Sequence, residues 1–174
     1  YVRKKETLDS KEQILFDCNF LAKNYDFFNL SNIKISPDNK LAAYSIDTVS
    51  RRLYTIKIKN LETGKFLNDC IDNTSGNFAW GNDNTTLFYT NRDSETLRND
   101  KIYKHVLGTN SKDDELVFHE KDNTFYTNVS KSKSNKFIVI SSYSTLTSEF
   151  QFLNADTPYD DFKLFSKRKR GLEY

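Results

Sequence analysis

Short runs of β-branched and aromatic residues, bounded by Asn, Asp, Ser and Gly, recur along almost the whole chain. This pattern is typical of β-strands joined by turns. Residues 54–59 alternate between apolar and polar side chains, which predicts a half-buried antiparallel strand. Residues 137–140 are apolar at every position and predict a strand with both faces buried.

The same reading along the chain predicts mostly strands and one short helix. The helix signal covers residues 19–25, for which Asp17 or Asn19 is available as an N-cap. The sequence therefore predicts an all-β fold with one short N-terminal helix. The predicted strands span residues 13–17, 33–36, 41–48, 53–60, 65–71, 77–80, 86–92, 101–107, 115–120, 125–130, 137–143, 149–153 and 162–165.

Three Asn-containing turns lie in the same local sequence frame. Residues 36–45 align without a gap on residues 81–90 and again on residues 132–141. The second copy follows the first by 45 residues, from Asp38 to Asp83, and the third follows the second by 51 residues, at Ser134. A period of about 40–50 residues with about four strands per unit is that of a β-propeller blade.

We therefore predict one domain that is a partial β-propeller of about three four-stranded antiparallel blades. The predicted blades cover approximately residues 29–75, 76–124 and 125–174, and residues 1–28 form a strand and a short helix of a neighbouring element. The alternative is an unrelated β-sandwich in which one Asp-Asn hairpin recurs by chance. A closed propeller has about four to eight blades, so the chain is expected to be part of a larger one. The chain also opens at Tyr1 without an initiator Met, which predicts the interior of a longer polypeptide.

Composition and charge exclude several classes of protein. The 174 residues carry 26 Lys and Arg against 24 Asp and Glu, a formal net charge of +2, which argues against a nucleic-acid partner. Apolar runs are too short for a membrane span or a secretory signal, so we expect no membrane partner and a cytoplasmic location. Cys18 and Cys70 fit no zinc-binding or disulfide framework and are predicted to be buried free thiols. No metal or other cofactor is expected.

Residues 1–48 resemble the start of the propeller in the prolyl oligopeptidase family of serine peptidases, within its oligopeptidase B (protease II) branch. The resemblance continues over nearly the whole chain. It implies a seven-bladed propeller that is paired with an α/β-hydrolase domain and covers its active site. It also implies hydrolysis of short peptides after Lys or Arg by Ser, Asp and His. The further matching segments are residues 60–64, 73–76 leading to Trp80, 82–90, 96–98, 103–109, 118–122 and 141–149.

The chain departs from that family in one respect that decides its expected role. No Gly-x-Ser-x-Gly occurs in the sequence, so no nucleophile elbow can form from these residues. We expect no catalytic triad here, and the substrate-binding residues stay unknown. The predicted function is a noncatalytic propeller segment that gates substrate access and docks on the α/β-hydrolase domain. The alternative is a free-standing β-repeat module that binds a protein partner; an autonomous hydrolase is a weaker idea.

Two histidines and two pairs of adjacent aspartates are candidate sites, and each is predicted to have a structural role. His105 shares a predicted strand face with Tyr103 and Leu107, and it could act as a base only if a Ser and a carboxylate converged on it. We predict a packed or rim histidine. His119 lacks the ligand number and spacing of a zinc site and is predicted to lie in a solvated turn. The adjacent pairs Asp113-Asp114 and Asp160-Asp161 are predicted to be surface turns.

The basic run Lys167-Arg168-Lys169-Arg170 is predicted to be a charged connection between blades. In the intact enzyme this run, or Arg51-Arg52, is a candidate contact with the peptidase domain. An incomplete propeller also leaves an apolar blade face and unpaired strand edges, so the isolated chain is expected to self-associate.

Overall fold

The computed structural model describes residues 1–174 as mostly antiparallel strands with one α-helix and two 3-10 helices. None of these helices has the length and the apolar character that a membrane-spanning helix needs. The strands are β1 (Val2–Lys4), β2 (Glu12–Ile14), β3 (Asn29–Ile35), β4 (Leu41–Asp47), β5 (Tyr54–Asn60), β6 (Phe66–Trp80), β7 (Thr86–Asn91), β8 (Lys101–Val106), β9 (Glu115–His119), β10 (Tyr126–Lys131), β11 (Phe137–Tyr143), β12 (Ser148–Asn154) and β13 (Lys163–Leu164). The helices are α1 (Cys18–Leu21) and the 3-10 helices Ala22–Asn24 and Ser111–Asp113.

The strands form three sheets in which every hydrogen-bonded pair is consecutive in the chain. β1 and β2 make a small hairpin, β3 to β9 make a seven-stranded sheet, and β10 to β13 make a four-stranded sheet. All neighbouring pairs are antiparallel. The all-β, antiparallel prediction is therefore confirmed.

The seven-stranded sheet is continuous because one long strand, β6, pairs with both β5 and β7. β6 has 15 residues; its first part pairs with β5 and its last part pairs with β7. The register shifts between Thr74 and Phe78, where Gly76 has φ +85°. The sequence predicted two separate strands here, but glycine's freedom at positive φ produces an irregularity within one strand rather than a turn. The predicted blade boundary between residues 75 and 76 falls inside β6, so the division into blades stays a prediction.

The three repeated turns have matching geometry. Asn39, Asn84 and Asn135 adopt φ of 62°, 64° and 59°, the left-handed region that Asn tolerates better than most residues. The residue before each turn bonds across the hairpin in the same way: Ser36 N to Leu41 O at 2.9 Å, Gly81 N to Thr86 O at 2.8 Å and Ser132 N to Phe137 O at 2.9 Å. The repeated sequence frame is thus a repeated structural unit.

Apolar side chains fill the spaces between successive units. One cluster joins Ala43 and Ile58 of the first unit to Leu87 of the second, and another joins Phe88 of the second unit to Ile138 of the third. Ala43 and Phe88 occupy equivalent positions in their repeats and are both fully buried. The third equivalent, Val139, instead lines an uncovered apolar groove with neighbouring Phe side chains. The third unit therefore presents to solvent the face that the first two units bury.

The N-terminal segment covers the other end of the stack. Phe16 is 2% exposed and its ring centroid lies 4.5 Å from that of Tyr44 in β4. Asp17 caps α1 by accepting a hydrogen bond from Phe20 N, as predicted. The predicted single helix over residues 19–25 is instead one α-helical turn followed directly by the 3-10 helix Ala22–Asn24.

Candidate functional site

The first strands of the three repeats end beside one another at their Asn turns. These strands, which contact one another and are the inner strands of the repeats, are β3, the last part of β6, and β10. Asp38 N in the first turn donates to Asn84 Oδ1 in the second at 2.8 Å. Asn82 Nδ2, next to the second turn, donates to the carbonyl oxygen of Asn135 in the third turn at 3.1 Å. Consecutive turns are therefore joined directly, at one end of the three repeats.

A polar cavity of about 550 Å³ opens at this end of the strands. Its wall includes residues at the end of each first strand, among them Lys34, Trp80 and Lys131, together with residues of the turns. No Asp or Glu lines the cavity. Its volume lies in the range of small-molecule sites, about 300–1,000 Å³.

The two lysines are held at the cavity wall by single hydrogen bonds to uncharged acceptors. Lys34 Nζ donates to the carbonyl oxygen of Phe78, and Lys131 Nζ donates to Asn82 Oδ1. No carboxylate oxygen lies within 4.0 Å of either ammonium group. Desolvation lowers the pKa of both lysines, and for Lys131 the more distant charges of Asp156 and Asp83 oppose that effect.

The wall of the cavity is fixed by side chains that bond to the backbone of the neighbouring repeat. Trp80 Nε1 in β6 donates to the carbonyl oxygen of Lys34 at 2.9 Å, and Asn32 Nδ2 in β3 donates to that of Gly76 at 2.9 Å. Buried backbone carbonyl groups need such partners, so these bonds tie the first two repeats together at their inner strands.

A second polar cluster surrounds His105, which lies in β8 and is fully buried. Its Nδ1 lies 2.7 Å from Asp114 Oδ1 and its Nε2 lies 3.1 Å from Asp69 Oδ1. Gly108 N donates to the same Asp69 oxygen at 2.6 Å, and the Tyr89 hydroxyl donates to Asp114 Oδ2 at 2.9 Å. The cluster thus joins four segments of the chain: β6, β7, β8 and the segment after the second 3-10 helix.

The electrostatics of this cluster favour the doubly protonated imidazole. Burial opposes the charged form, but hydrogen bonds and charge from Asp114 and Asp69 outweigh it and raise the pKa of His105. Only an imidazolium can donate from both ring nitrogens. Burial and the charge of Asp114 also raise the pKa of Tyr89 well above its usual range. His105 therefore acts as a buried cation that bridges two carboxylates, and neither nitrogen is free to accept a proton from a nucleophile.

The prediction that His105 is a packed histidine is confirmed, but the surface turn predicted for Asp113-Asp114 is wrong for Asp114. Its side chain is only 2% exposed because the 3-10 helix Ser111–Asp113 turns it towards the imidazole. Asp113 itself is exposed, as are Asp160 and Asp161. Sequence reasoning missed the partnership because Asp69 lies 36 residues from His105 and no local motif connects them.

The remaining candidates stay at or near the surface. His119 ends β9, with its side chain 38% exposed and its Nε2 3.6 Å from Asp100 Oδ2. No group of three or more His, Cys, Asp or Glu side chains is arranged to hold a metal ion. Cys18 and Cys70 are free, but the prediction that they are buried is wrong: Cys18 is partly exposed and Cys70 is exposed. Cys70 lies in the β6 segment whose alternate side chains face solvent.

One member of the basic run is engaged within the domain. Arg168 Nη2 lies 2.6 Å from Glu120 Oε2 and 3.3 Å from Glu149 Oε1, and its guanidinium carbon lies 3.7 Å from the ring centroid of Phe125. The neighbouring cations at 167, 169 and 170 are exposed, as are Arg51 and Arg52. Arg168 therefore anchors the C-terminal segment, and only its neighbours are free for other contacts.

The repeated antiparallel units and their stacked apolar cores define a β-propeller segment. Residues 1–174 match the protein family described as "Prolyl oligopeptidase, N-terminal beta-propeller domain". The chain therefore belongs to the family of N-terminal β-propeller domains of prolyl oligopeptidases.

Two relatives resemble the chain over most of its length. It is 42% identical over 163 residues to "Dipeptidyl aminopeptidase BI" of Pseudoxanthomonas mexicana, a match that covers 94% of this chain and 22% of that protein. It is 35% identical over 168 residues to "Protease 2" of Moraxella lacunata, covering 95% of this chain and 24% of that protein. The chain thus spans less than a quarter of the length of these relatives.

Solved structures agree with the sequence comparisons. Oligopeptidase B from Leishmania major superposes with a TM-score of 0.88 at 26% identity, covering 97% of this chain and 24% of that one. Oligopeptidase B from Trypanosoma brucei, solved in a closed form with covalently bound antipain, gives a TM-score of 0.82 at 26% identity and covers 92% and 22%. The resemblance to oligopeptidase B noted in the sequence is confirmed.

Proposed function

We propose that the chain is the noncatalytic propeller segment of an oligopeptidase-B-like serine peptidase, in which it gates substrate access and docks on an α/β-hydrolase domain. Membership of the propeller family over residues 1–174 carries the proposal. The contacts of His105 support the proposal. Both of its ring nitrogens bond to carboxylates, so this histidine does not serve as the base of a catalytic triad. The chemistry of the parent protein then resides in another part of the polypeptide.

The proposed gating is steric. Polar side chains line the cavity at the ends of the inner strands, and backbone-directed bonds such as that of Trp80 hold the wall in place. A fixed polar opening admits a flexible, hydrated peptide and excludes a folded protein by size.

The proposed docking surface includes the exposed basic residues near the C-terminus of the chain. We would replace Lys169 and Arg170 with Glu in the full-length protein and leave the anchored Arg168 unchanged. Lys163→Glu, on the exposed outermost strand, is the matched control. The docking proposal expects a changed peptidase rate or sedimentation profile for the double variant alone. Unchanged values in both assays would reject docking at this segment.

Two cleavage specificities are proposed for the parent. Resemblance to oligopeptidase B favours endopeptidase cleavage after Lys or Arg. The 42% identity to a protein named dipeptidyl aminopeptidase BI favours removal of dipeptides from a free N-terminus. The full-length protein should be assayed with an N-blocked Arg nitroanilide and with a dipeptidyl nitroanilide whose amino group is free. Turnover of the blocked substrate supports the first specificity, and turnover of the free dipeptidyl substrate alone supports the second.

The other function is that of a free-standing β-repeat module that binds a protein partner. The gene sequence after Tyr174 distinguishes the two functions. About four further blades followed by Gly-x-Ser-x-Gly support the peptidase, whereas a stop codon soon after Tyr174 supports the module. A cytoplasmic location stays a prediction that cell fractionation can check.

A further inference from the structure

The cavity at the turn end of the inner strands has an unusual charge balance. Two half-buried ammonium groups, those of Lys34 and Lys131, reach its wall, and no acidic side chain lines it. Some half-buried cations elsewhere in the chain are paired with carboxylates, Lys104 with Glu115 and Arg168 with Glu120, whereas Lys59 and Arg92 bond only to uncharged oxygen atoms. The two cavity lysines lack such a partner within the protein.

Each of these ammonium groups retains unused hydrogen-bonding capacity. An ammonium carries three N–H donors, and the protein accepts only one from Lys34, at the Phe78 carbonyl, and one from Lys131, at Asn82. Ser130 and Asn135, which are exposed, also line the cavity, and neither side chain donates a hydrogen bond to another group of the protein. A cavity with several free donors and no anionic group is complementary to an anion.

Position within the repeats explains why these donors converge. Lys131 occupies the same repeat position as Trp80, and Lys34 lies one residue before that position in the first repeat. Since the turns of consecutive repeats are hydrogen-bonded to each other, the ends of all three first strands face the same space. The cavity therefore depends on the stacking of all three units.

We propose that this cavity binds the carboxylate of a peptide at the mouth of the propeller, with Lys34 and Lys131 as the charged ligands. The carboxylate is the shared chemistry of a peptide C-terminus and of an acidic side chain. That the ligand is a peptide rests on the proposed function. Charge-assisted hydrogen bonds from two partly desolvated ammonium groups would then orient acidic or free-acid peptides at the entrance.

Equilibrium binding to the full-length protein tests this site without requiring turnover. The first probe pair is acetyl-trialanine as the free acid and as its C-terminal amide; the second is acetyl-Ala-Glu-Ala-amide and acetyl-Ala-Gln-Ala-amide. Isothermal titration calorimetry should show the acidic member of at least one pair binding about tenfold more tightly, as expected for one charge-assisted contact. The pair that shows the difference identifies the source of the carboxylate.

Variants assign the preference to the cavity. Lys131→Gln should abolish the difference, Lys131→Arg should keep it, and Lys163→Gln, on the exposed outer strand, should leave it unchanged. Lys34→Gln should also abolish the difference, and if that variant fails to fold, Lys131→Gln still decides. Equal binding within both pairs, or a preference that survives Lys131→Gln, overturns the proposal. An inactive protein that shows the Lys131-dependent preference rejects the peptidase function but not the site, and an active peptidase without the preference rejects the site alone.

Discussion

Replacing His105 with Ala removes the cation between two buried carboxylates. The side chains of His105, Asp69 and Asp114 are 0%, 4% and 2% exposed, so solvent does not reach the two carboxylates to stabilise their charge. Removing one partner of a buried charge pair costs about 3–5 kcal/mol, mainly because the remaining charge is unpaired. Asp69 keeps the Gly108 N–H and Asp114 keeps the Tyr89 hydroxyl, each of which offsets about 1 kcal/mol. With both offsets, we expect the free energy of unfolding to fall by about 1–3 kcal/mol.

Urea unfolding at pH 7 measures this loss directly. Trp80 is the only tryptophan of the chain and is 2% exposed, so its fluorescence reports unfolding of the core. His119→Ala is the matched control, since the other histidine of the chain is 38% exposed and 3.6 Å from its acidic neighbour. Such exposed pairs contribute less than about 1 kcal/mol.

A third variant separates charge from packing. His105→Ala combined with Asp69→Asn and Asp114→Asn leaves no buried charge in the cluster, so it should recover part of the loss even though the cavity stays the same. If His105→Ala costs no more than His119→Ala, or if the triple variant is no more stable than His105→Ala, the cluster is not held by the charge of His105.

Four further outcomes are expected. Folding raises the pKa of His105 above 6.5, so the stabilisation from its charge is complete below pH 6.5 and is lost as the pH rises through the folded pKa. The urea midpoint of the unmutated chain should therefore fall towards alkaline pH, and that of His105→Ala should fall less. Asn135, at φ 59°, should accept Gly with little change, whereas Ala should cost about 1 kcal/mol in urea unfolding. Arg168→Met should lower the free energy of unfolding by about 1–3 kcal/mol, because it leaves the buried carboxylate of Glu120 unpaired. Lys169→Met should change it by no more than about 0.5 kcal/mol in the same urea assay. The isolated chain should form dimers or larger species through the apolar groove at Val139, and Val139→Lys should reduce them. A molar mass of the unmutated chain that stays strictly monomeric in light scattering would contradict this.

The repeated turns could be predicted from sequence because their cause is local. Asn39, Asn84 and Asn135 each adopt positive φ within a few residues of two strands, and both the side-chain type and the flanking apolar runs are visible in the sequence. Local interactions therefore determine the hairpins, and the spacing of the hairpins along the chain shows the repeat.

Strand continuity could not be predicted in the same way. Residues 72–75 contain Asn and Ser, and the sequence predicts two separate strands, 65–71 and 77–80, on either side of them. In the structure β6 continues through them because Thr74 pairs with Tyr54 on one side and with Asn91 on the other. Strands distant in sequence supply these partners, and a local pattern does not contain that information.

The buried charge cluster was invisible for a related reason. In the sequence, Asp69 and Asp114 are ordinary polar residues on an alternating strand and beside a turn. Only the tertiary structure brings β6, which carries Asp69, and the segment after the second 3-10 helix, which carries Asp114, to His105 in β8. Polar residues are usually exposed, so sequence reasoning assigned Asp114 to the surface. A buried polar network is specified by tertiary structure, and its members carry no spacing signature.

The contacts between units also limit how the proposed gate can work. Trp80 and Asn32 donate partly buried hydrogen bonds to backbone carbonyl groups of the neighbouring strand, so opening the wall locally would leave these groups without partners. Each such group costs about 1–3 kcal/mol when unsatisfied, and both bonds would have to break together with the exposed bonds between the Asn turns. The wall should therefore act as a fixed filter. Admission of larger substrates to the parent enzyme would then require movement of the propeller relative to the hydrolase domain, not separation of these inner strands.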